Sequence, residues 1–500
     1  MSSQRFLHGI ELIEIDEGAR SIRTLSSSII GLVGTAPEAA SAATATLTIG
    51  TGEAGLVLTA NRVGLVGNSL RFEALPAAEA ESALSVEVDE TLPGTKLIRV
   101  NLASDLAGER SSTAAEVMAA INADAAASAL LSASLLGSVG DELMRSSLGP
   151  KPLTGGMDEP FPLNQATLIS NRRQLRYLGA SGTLVRALEG LYEQSSPLVY
   201  VVRVTEGASN EETATQVIGG IDAGTGQLHG IRALESVRFG ITPRVLIAPG
   251  FTQIKPVADA LIGVAERLRA VAVLDGPNST DEAAIDYRSQ FSSPRAYLVD
   301  PWFIVRRPDG SEEVEPPSAR VAGLMAHSDE TRGFWFSPSN QAILGTLRTA
   351  RPISWAINDP DTQANYLNEF GVATFIAYDG VRLWGNRSCS TDPRWQYLSV
   401  RRTADMINDS LVRAHLWAVD RAITRSFFDE VSEMVNAYLR HLKSRDALIN
   451  GRCWVDPELN TPEAIANGQV YFDFDFTPTY PAEHIIFRSR MINDYLEELL

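Results

Sequence analysis

The chain begins with a strand-like pattern that does not alternate cleanly. Phe6 to Gly18, FLHGIELIEIDEG, carries the β-prone Ile10, Leu12, Ile13 and Ile15. The alternation slips at Leu12–Ile13, so both faces are apolar. Such a strand at a terminus needs a cover. Ser28 to Val33 reads as a buried strand ended by Gly34 and Pro37. Between Ala39 and Pro150 come five short β-like runs, TATLTIG, GLVLTA, LRFEAL, ALSVEV and KLIRVNLA, separated by Gly, Pro and Asn. The run STAAEVMAAINADAAASALL then predicts a helix, with Thr113 and Glu116 as its N-terminal cap pair. Gly149 to Pro162 has linker chemistry.

From Leu163 the pattern is that of alternating strands and helices. GTLVRALEGLYEQ is helical, and PLVYVVRV, RVLIAPG, AVAVLDGP and RAYLVDPWFIV are apolar strands. PVADALIGVAERLRA is an amphipathic helix with Pro256 at its start. This order predicts a mainly parallel sheet covered on both faces. Further on, GVATFIAYDGVRLWGNRS predicts a hairpin turning at Asp379–Gly380. Arg401 to Lys443 is helical with an interruption near Ser426. VYFDFDFTPTYP alternates cleanly, with Val470, Phe472, Phe474 and Phe476 on one face and Tyr471, Asp473 and Asp475 on the other. His484 to Ile492 is a last β-prone piece, so both ends carry a detachable strand-like arm.

Composition narrows the function classes. The chain has 500 residues, 44% hydrophobic and 21% charged, which predicts a globular protein of several domains. A net charge of −18 argues against a nucleic-acid or polybasic membrane-surface binder. Ala39 to Pro150 stands apart, with no Trp, Tyr or His and Phe72 as its only aromatic. Cys389 and Cys453 define neither a disulfide framework nor a metal cluster, which suits a reduced, cytoplasmic site of folding. No signal peptide and no run of transmembrane length is expected.

Candidate chemistry is sparse. GTGEAG, Gly50 to Gly55, matches a dinucleotide fingerprint but is followed by the strand-like LVLTA rather than the helix that would face a pyrophosphate. Asp473 and Asp475 have a spacing that suits a divalent metal, but a solvated strand face explains them more simply. The six histidines are scattered, and no Walker motif, zinc spacing or nucleophile elbow occurs. No catalytic residue, metal site or cofactor is expected. Arg401, Arg402, Arg413, Arg421 and Arg425 form a basic stripe on an acidic protein. Such a stripe is either a solvated helix face or a docking face for an acidic partner.

PPSARVAGLMAHSDETRGFWFSPSN, Pro316 to Asn340, resembles the signature of contractile tail sheath proteins of phages and R-type bacteriocins. The opening HGIELIEIDEGARSIRTLSSSIIGLVGTAPEA and the close GRCWVDPELNTPEAIANGQVYFDFDFTPTYPAEHIIFRSRMINDYLEEL resemble the family's two ends. DPWFIV and the Gly371-to-Ser390 hairpin also fit the family. The resemblance implies a multidomain α/β fold: an arm at 1–20, α/β sheath segments at 21–38 and 160–360, an inner domain at 361–482 and a C-terminal arm at 483–500. Residues 39–159 depart from the simplest sheaths and are expected to be an inserted β-rich outer domain.

The resemblance further implies a helical homopolymer around a tail tube protein, bounded by baseplate and tail terminator proteins. Contraction of that polymer drives the tube through a target envelope. The particle is a phage tail or a headless bacteriocin made in a bacterial cytoplasm, without nucleic-acid binding or membrane insertion. A surface-binding module or an enzyme is the alternative from a different class. The arms, through Ile10, Leu12, Ile13, Ile15, Ile485, Ile486 and Phe487, are expected to add strands to a neighbour's sheet. Val470, Phe472, Phe474 and Phe476 are expected to form the acceptor, and Arg401, Arg402, Arg421 and Arg425 to face the tube.

Overall fold

The computed structural model describes residues 22–77, 79–91, 93–147, 149–237 and 241–499. Ile10, Leu12, Ile13 and Ile15 therefore lie outside the described residues. The chain forms two compact units, one from residues 22–35, 164–173 and 182–499, the other from 36–163 and 174–181.

The larger unit is built on a six-stranded sheet. Its strands are β1 (Ile30–Thr35), β2 (Ala166–Ile169), β3 (Val199–Val204), β4 (Val245–Ile247), β5 (Val271–Asp275) and β6 (Ala296–Val299), in the spatial order β6-β5-β4-β1-β3-β2. All neighbours are parallel except β2, which closes the edge antiparallel to β3. The central strand β1, IGLVGT, is buried at every position. Its two glycines allow helices to approach from both faces. A Cβ on Gly31 would meet Leu234 and Leu246, and one on Gly34 would meet Thr183 and Leu184 of helix α1 (Thr183–Gln194). One face buries Val33, Leu246 and Leu274 against Val257, Leu261 and Val264 of α2 (Lys255–Leu268).

Helix α3 (Ser318–Thr331) has no side-chain cap of its own. Its first amide, Ser318 N, donates instead to the buried carboxylate of Asp275 at the end of β5 (2.8 Å). Gly250 N and the Thr252 and Ser318 hydroxyls donate to the same group. Burial pushes Asp275 up to about 6 in spite of those donors.

The run Arg295 to Val305 does not make one strand. It divides at Asp300–Pro301, with β6 in the large sheet and Phe303–Arg306 at the centre of a separate three-stranded sheet. The division has a polar cause: the Asp300 carboxylate is fully buried, and it accepts from Asn278 N (2.8 Å) and Arg351 Nη2 (2.6 Å). The Thr374–Ala377 and Val381–Trp384 strands pair across the loop Tyr378–Asp379–Gly380, in which Asp379 (φ 48°) and Gly380 (φ 92°) take the left-handed backbone that Asp and Gly tolerate.

In the smaller unit all five short runs become strands. Thr44–Ile49 and Leu56–Val63 lie in a three-stranded sheet; Leu70–Leu75, Ser85–Asp89 and Lys96–Asn101 lie in a four-stranded one. Gly52–Ala54, inside the G-x-G-x-x-G match, is a single 3-10 turn between two antiparallel strands. Thr113 and Glu116 cap the helix reciprocally. The helix itself is shorter than the alanine-rich run suggests. It ends at Ala123, and Leu131–Leu135 pairs with Leu56–Val63 as a strand. Leu131 and Ala133 enter the core while Ser132 and Ser134 face out, so the period-2 pattern and its sheet partner override helix propensity.

Glu53 organises the far end of this sheet. Its carboxylate accepts from the amides of Ser138 (2.9 Å), Val139 (2.7 Å) and Gly140 (2.7 Å). These hydrogen bonds lower its pKa from 4.5 to about 2. A depressed carboxylate stabilises the fold above its unfolded value, and the contribution is lost as pH falls through the folded value. Protection of these three amides from hydrogen exchange should therefore hold at neutral pH and decline from about pH 4.5 toward 2. Glu53→Gln should show reduced protection at every pH.

Candidate assembly interface

The C-terminal third is organised by two helices and a small sheet. Helix α4 (Leu398–Ala414) and helix α5 (Arg425–Ser444) share a core of Met406, Ile407, Met434, Val435, Leu439 and Leu442. The interruption between the helices runs over residues 415–424, slightly before the expected position at Ser426, and Thr424 caps α5.

The polar side of α4 is locked to the α/β body. Asp405 accepts from Arg295 through Nη1 (2.5 Å) and Nη2 (2.8 Å), and from Arg401 Nη2 (2.8 Å). Asp409, one turn on, pairs with Arg244 and with Arg269 (2.5 Å). Arg402 is 4% exposed and pairs with Asp329 of α3.

This corrects the expected basic stripe. Arg402 is an internal tie and presents nothing to a partner. Arg401 is half-buried, engaged by Asp405 and stacked on Trp395 with its guanidinium 4.1 Å from the ring centroid. A run of arginines along a sequence does not reveal that acids three to four residues away turn the same helix face inward. The arginines left on the surface, Arg413, Arg421 and Arg425, surround the 415–424 corner. There Val412, Leu416 and Val419 are also exposed. Arg421 pairs with Glu430 (3.3 Å) and lies over Trp417.

Strands β7 (Leu448–Val455) and β8 (Phe472–Pro478) form an antiparallel pair next to α5. Phe472, Phe474 and Phe476 pack against the helical core, as their alternation predicts. Val470 precedes the strand, because Asn460 holds the backbone of Tyr471 through both amide atoms (2.8 and 2.9 Å).

The two outer edges of this pair differ. Asn436 of α5 donates to Cys453 O (2.9 Å) and accepts from Cys453 N (2.8 Å), so its side chain occupies the middle of the β7 edge. Because the backbone N–H and C=O of Cys453 face Asn436 and not β8, Cys453 and its partner Phe474 form a non-hydrogen-bonded pair. The backbone groups of Phe472, Phe474 and Phe476 thus line the outer edge of β8, where no further strand pairs among the described residues.

On the open face Asp475 pairs with Arg452 (3.2 Å). Asp473 faces Asp456, and desolvation together with the hydrogen bond and charge of that second carboxylate raises its pKa above 3.8. No group of three His, Cys, Asp or Glu able to hold a metal occurs among the described residues. Cys389 and Cys453 are free and buried.

Beyond β8 the chain leaves the body. Glu483 is clamped by Arg387 through two hydrogen bonds (2.7 and 2.8 Å) and by Tyr397 OH (3.2 Å). From 484 to 492 there is no strand, in contrast to the β-prone sequence, and no strand pairs with it among the described residues. Ile485, Ile486, Phe487, Met491 and Ile492 are exposed, Phe487 at 92% and Met491 at 94%. Five large apolar side chains thus lie uncovered on one short segment, more than a monomer surface usually leaves together.

An α/β body carrying an open-edged sheet and an uncovered apolar tail defines an assembly subunit. Comparison with known proteins identifies which kind. The phage tail sheath protein central domain matches residues 223–389, and the phage tail sheath C-terminal domain matches 390–492. A prophage major tail sheath protein of Pseudomonas aeruginosa (strain UCBPP-PA14) is 40% identical over 67% of this chain and 87% of its own length. The tail sheath protein of Escherichia phage P2 is 34% identical over 68% and 89%, and that of Burkholderia phage BcepMu 29% identical over 98% of both. The contracted sheath of the PVC extracellular contractile injection system shares the fold, with a TM-score of 0.52 at 19% identity over 67% of this chain and 89% of that one. The chain belongs to the phage tail sheath protein family. No helix among the described residues is long and apolar enough to cross a membrane.

Proposed function

We propose that this chain polymerises with copies of itself around a tail tube and contracts to drive that tube through a cell envelope. The observation that carries the reading is the exposed apolar segment 485–492 in a member of the tail sheath family. Each arm adds a strand to a neighbour's β7–β8 sheet, where main-chain hydrogen bonds give attachment. The 412–425 corner, with Arg413, Arg421 and Arg425 around exposed Val412, Leu416 and Val419, faces the tube. This replaces a face that included Arg402. Residues 36–163 form an outer insertion. Supporting this, two relatives align over about two thirds of the chain, whereas the BcepMu sheath aligns over nearly all of it. Baseplate and terminator proteins bound the polymer, and the particle is a phage tail or a bacteriocin.

Negative-stain electron microscopy of the purified chain with tail tube protein tests the reading. The natural chain should coat tubes as a striated cylinder. Arg413→Glu, Arg421→Glu and Arg425→Glu together should leave a folded subunit that coats poorly. Absence of any polymer from the natural chain would overturn the sheath reading; undiminished coating by the triple variant would overturn only the tube-facing corner.

A further inference from the structure

The described chain begins beside a large cleft. Ile22 belongs to the same buried cluster as Phe334 and Trp335. Thr24 to Ser28 line a small hollow of about 260 Å³ together with Trp335 and Arg445. Trp335 is also a wall of a second cleft of about 1170 Å³. That volume exceeds the roughly 300–1,000 Å³ of a small-molecule pocket and suits a length of peptide. Phe336, Trp355, Ile357 and Trp384 line it, with Phe336 42% exposed and Ile357 84%. Two of its lining residues carry a polar atom, Trp335 Nε1 and Asn386 Oδ1, that is buried without a hydrogen-bond partner among the described residues. A main chain entering the cleft carries the missing acceptor and the missing donor.

Two cations stand at the same place. The Arg445 guanidinium lies over the Trp335 ring at 5.2 Å, and that of Arg332 over the Phe336 ring at 5.0 Å. Neither makes an ion pair with a described residue, whereas Arg387, also in the cleft, is held by Glu483. Partial burial lowers the Arg332 pKa, and no carboxylate offsets it. Residues 13–21, IEIDEGARS, directly precede Ile22. They carry apolar groups, Ile13 and Ile15, for the aromatic wall, and acids, Asp16 and Glu17, for the two guanidinium groups. At about 3.3 Å per residue, Asp16 and Glu17 reach no further than roughly 20 Å from Ile22, and Ile13 roughly 30 Å.

We infer that, before assembly, residues 13–21 occupy the cleft of their own subunit, with Asp16 and Glu17 beside Arg332 and Arg445 and with Ile13 and Ile15 against Phe336, Trp355 and Trp384. Attachment through Ile22 favours this segment over one from a second copy. The tether holds it at an effective concentration on the order of millimolar, so a segment whose separate affinity is only about 0.1 mM is still bound about tenfold over unbound. A segment held at home is withheld from a neighbour, and the cleft acts as a latch on assembly. The docking stands on the cleft and its charges. The latch rests on the sheath reading, in which the same segment joins another copy, and the polymer opens it by competing for the segment.

Hydrogen exchange of the full-length chain tests the docking, and polymerisation on tail tube protein tests the latch. The natural chain, D16R/E17R, R332E/R445E and the four-fold combination are compared, with folding checked by circular dichroism. Arg332 and Arg445 are exposed, so their replacement should leave the fold intact. In the natural chain the cleft walls at residues 354–369 and 384–387 should be protected equally at low and high protein concentration. Each double variant should exchange there about tenfold faster, since the charges then repel, and the four-fold variant should recover the protection. Equal exchange in all four, or failure of the four-fold variant to recover, would overturn the docking. Protection that rises with protein concentration would put a second copy's segment in the cleft and overturn it equally. R332E/R445E keeps the natural segment and should polymerise severalfold faster than the natural chain. An unchanged rate despite lost protection would overturn the latch and leave the docking. No polymer from the natural chain would remove the sheath reading and the latch together, while exchange would still decide the docking.

Discussion

Deleting residues 485–500 is expected to abolish polymerisation while leaving a folded, monomeric subunit. Among the described residues the deleted segment contributes none to the buried core clusters, and Ile485, Ile486, Phe487, Met491 and Ile492 are already exposed. The fold of the isolated chain therefore loses little. The polymer loses much more. Burying Ile485, Ile486, Phe487, Met491 and Ile492 contributes roughly 1.5–3 kcal/mol each before the cost of ordering the segment. On the proposed arm exchange every subunit both donates and accepts, so the losses multiply along the assembly. Sedimentation velocity should show a single slow species with an unchanged circular dichroism spectrum, and electron microscopy should show bare tubes. Removing residues 1–19 should have the same direction of effect. Full-length cylinders from the chain cut at 484 would show that the tail is not the tether.

Asp405→Ala is expected to destabilise the larger unit by about 3–5 kcal/mol, the range for breaking a buried ion pair from one side. Asp405 lies between Arg295 and Arg401, and its side chain is 4% exposed. Without it Arg295 keeps Glu266 (2.9 Å), a partner whose own side chain is half in solvent, and the Ala270 carbonyl (3.2 Å). Those do not replace a bidentate carboxylate for a guanidinium that is itself nearly buried. Arg413→Ala, on the same helix but exposed, should change stability by no more than about 0.5 kcal/mol. Urea unfolding of the two variants checks both values. Similar midpoints would mean that packing of α4 through Met406 and Ile407, and not its charge network, joins the helix to the body.

The contrast between Arg402 and Arg413 shows where reading the sequence succeeds and where it stops. Local periodicity carries its own partner: the alternation of Phe472, Phe474 and Phe476 needs only one buried face, and the structure supplies it. The same holds for the five short strands of the smaller unit and for the turn at Asp379–Gly380, whose left-handed backbone is a property of those two residues. A charged side chain has no such local signature. Arg402 is buried because Asp329, 73 residues earlier, meets it across two helices. Asp405 and Asp409 face Arg244 just before β4, Arg269 just after α2 and Arg295 just before β6.

By itself the sequence determined the strand and helix periods, the compositional break near Ala39, the absence of a recognisable catalytic motif and the family. All of these are written in spacing and residue type over short windows. Only the tertiary structure decided that Arg295 to Val305 divides at Asp300, that Leu131–Leu135 leaves its helix for a sheet, that the arginine stripe is half internal and that Asn436 closes one edge of the β7–β8 pair. Each of those outcomes depends on a partner distant in the chain, and burial makes that distant partner energetically dominant over local preference.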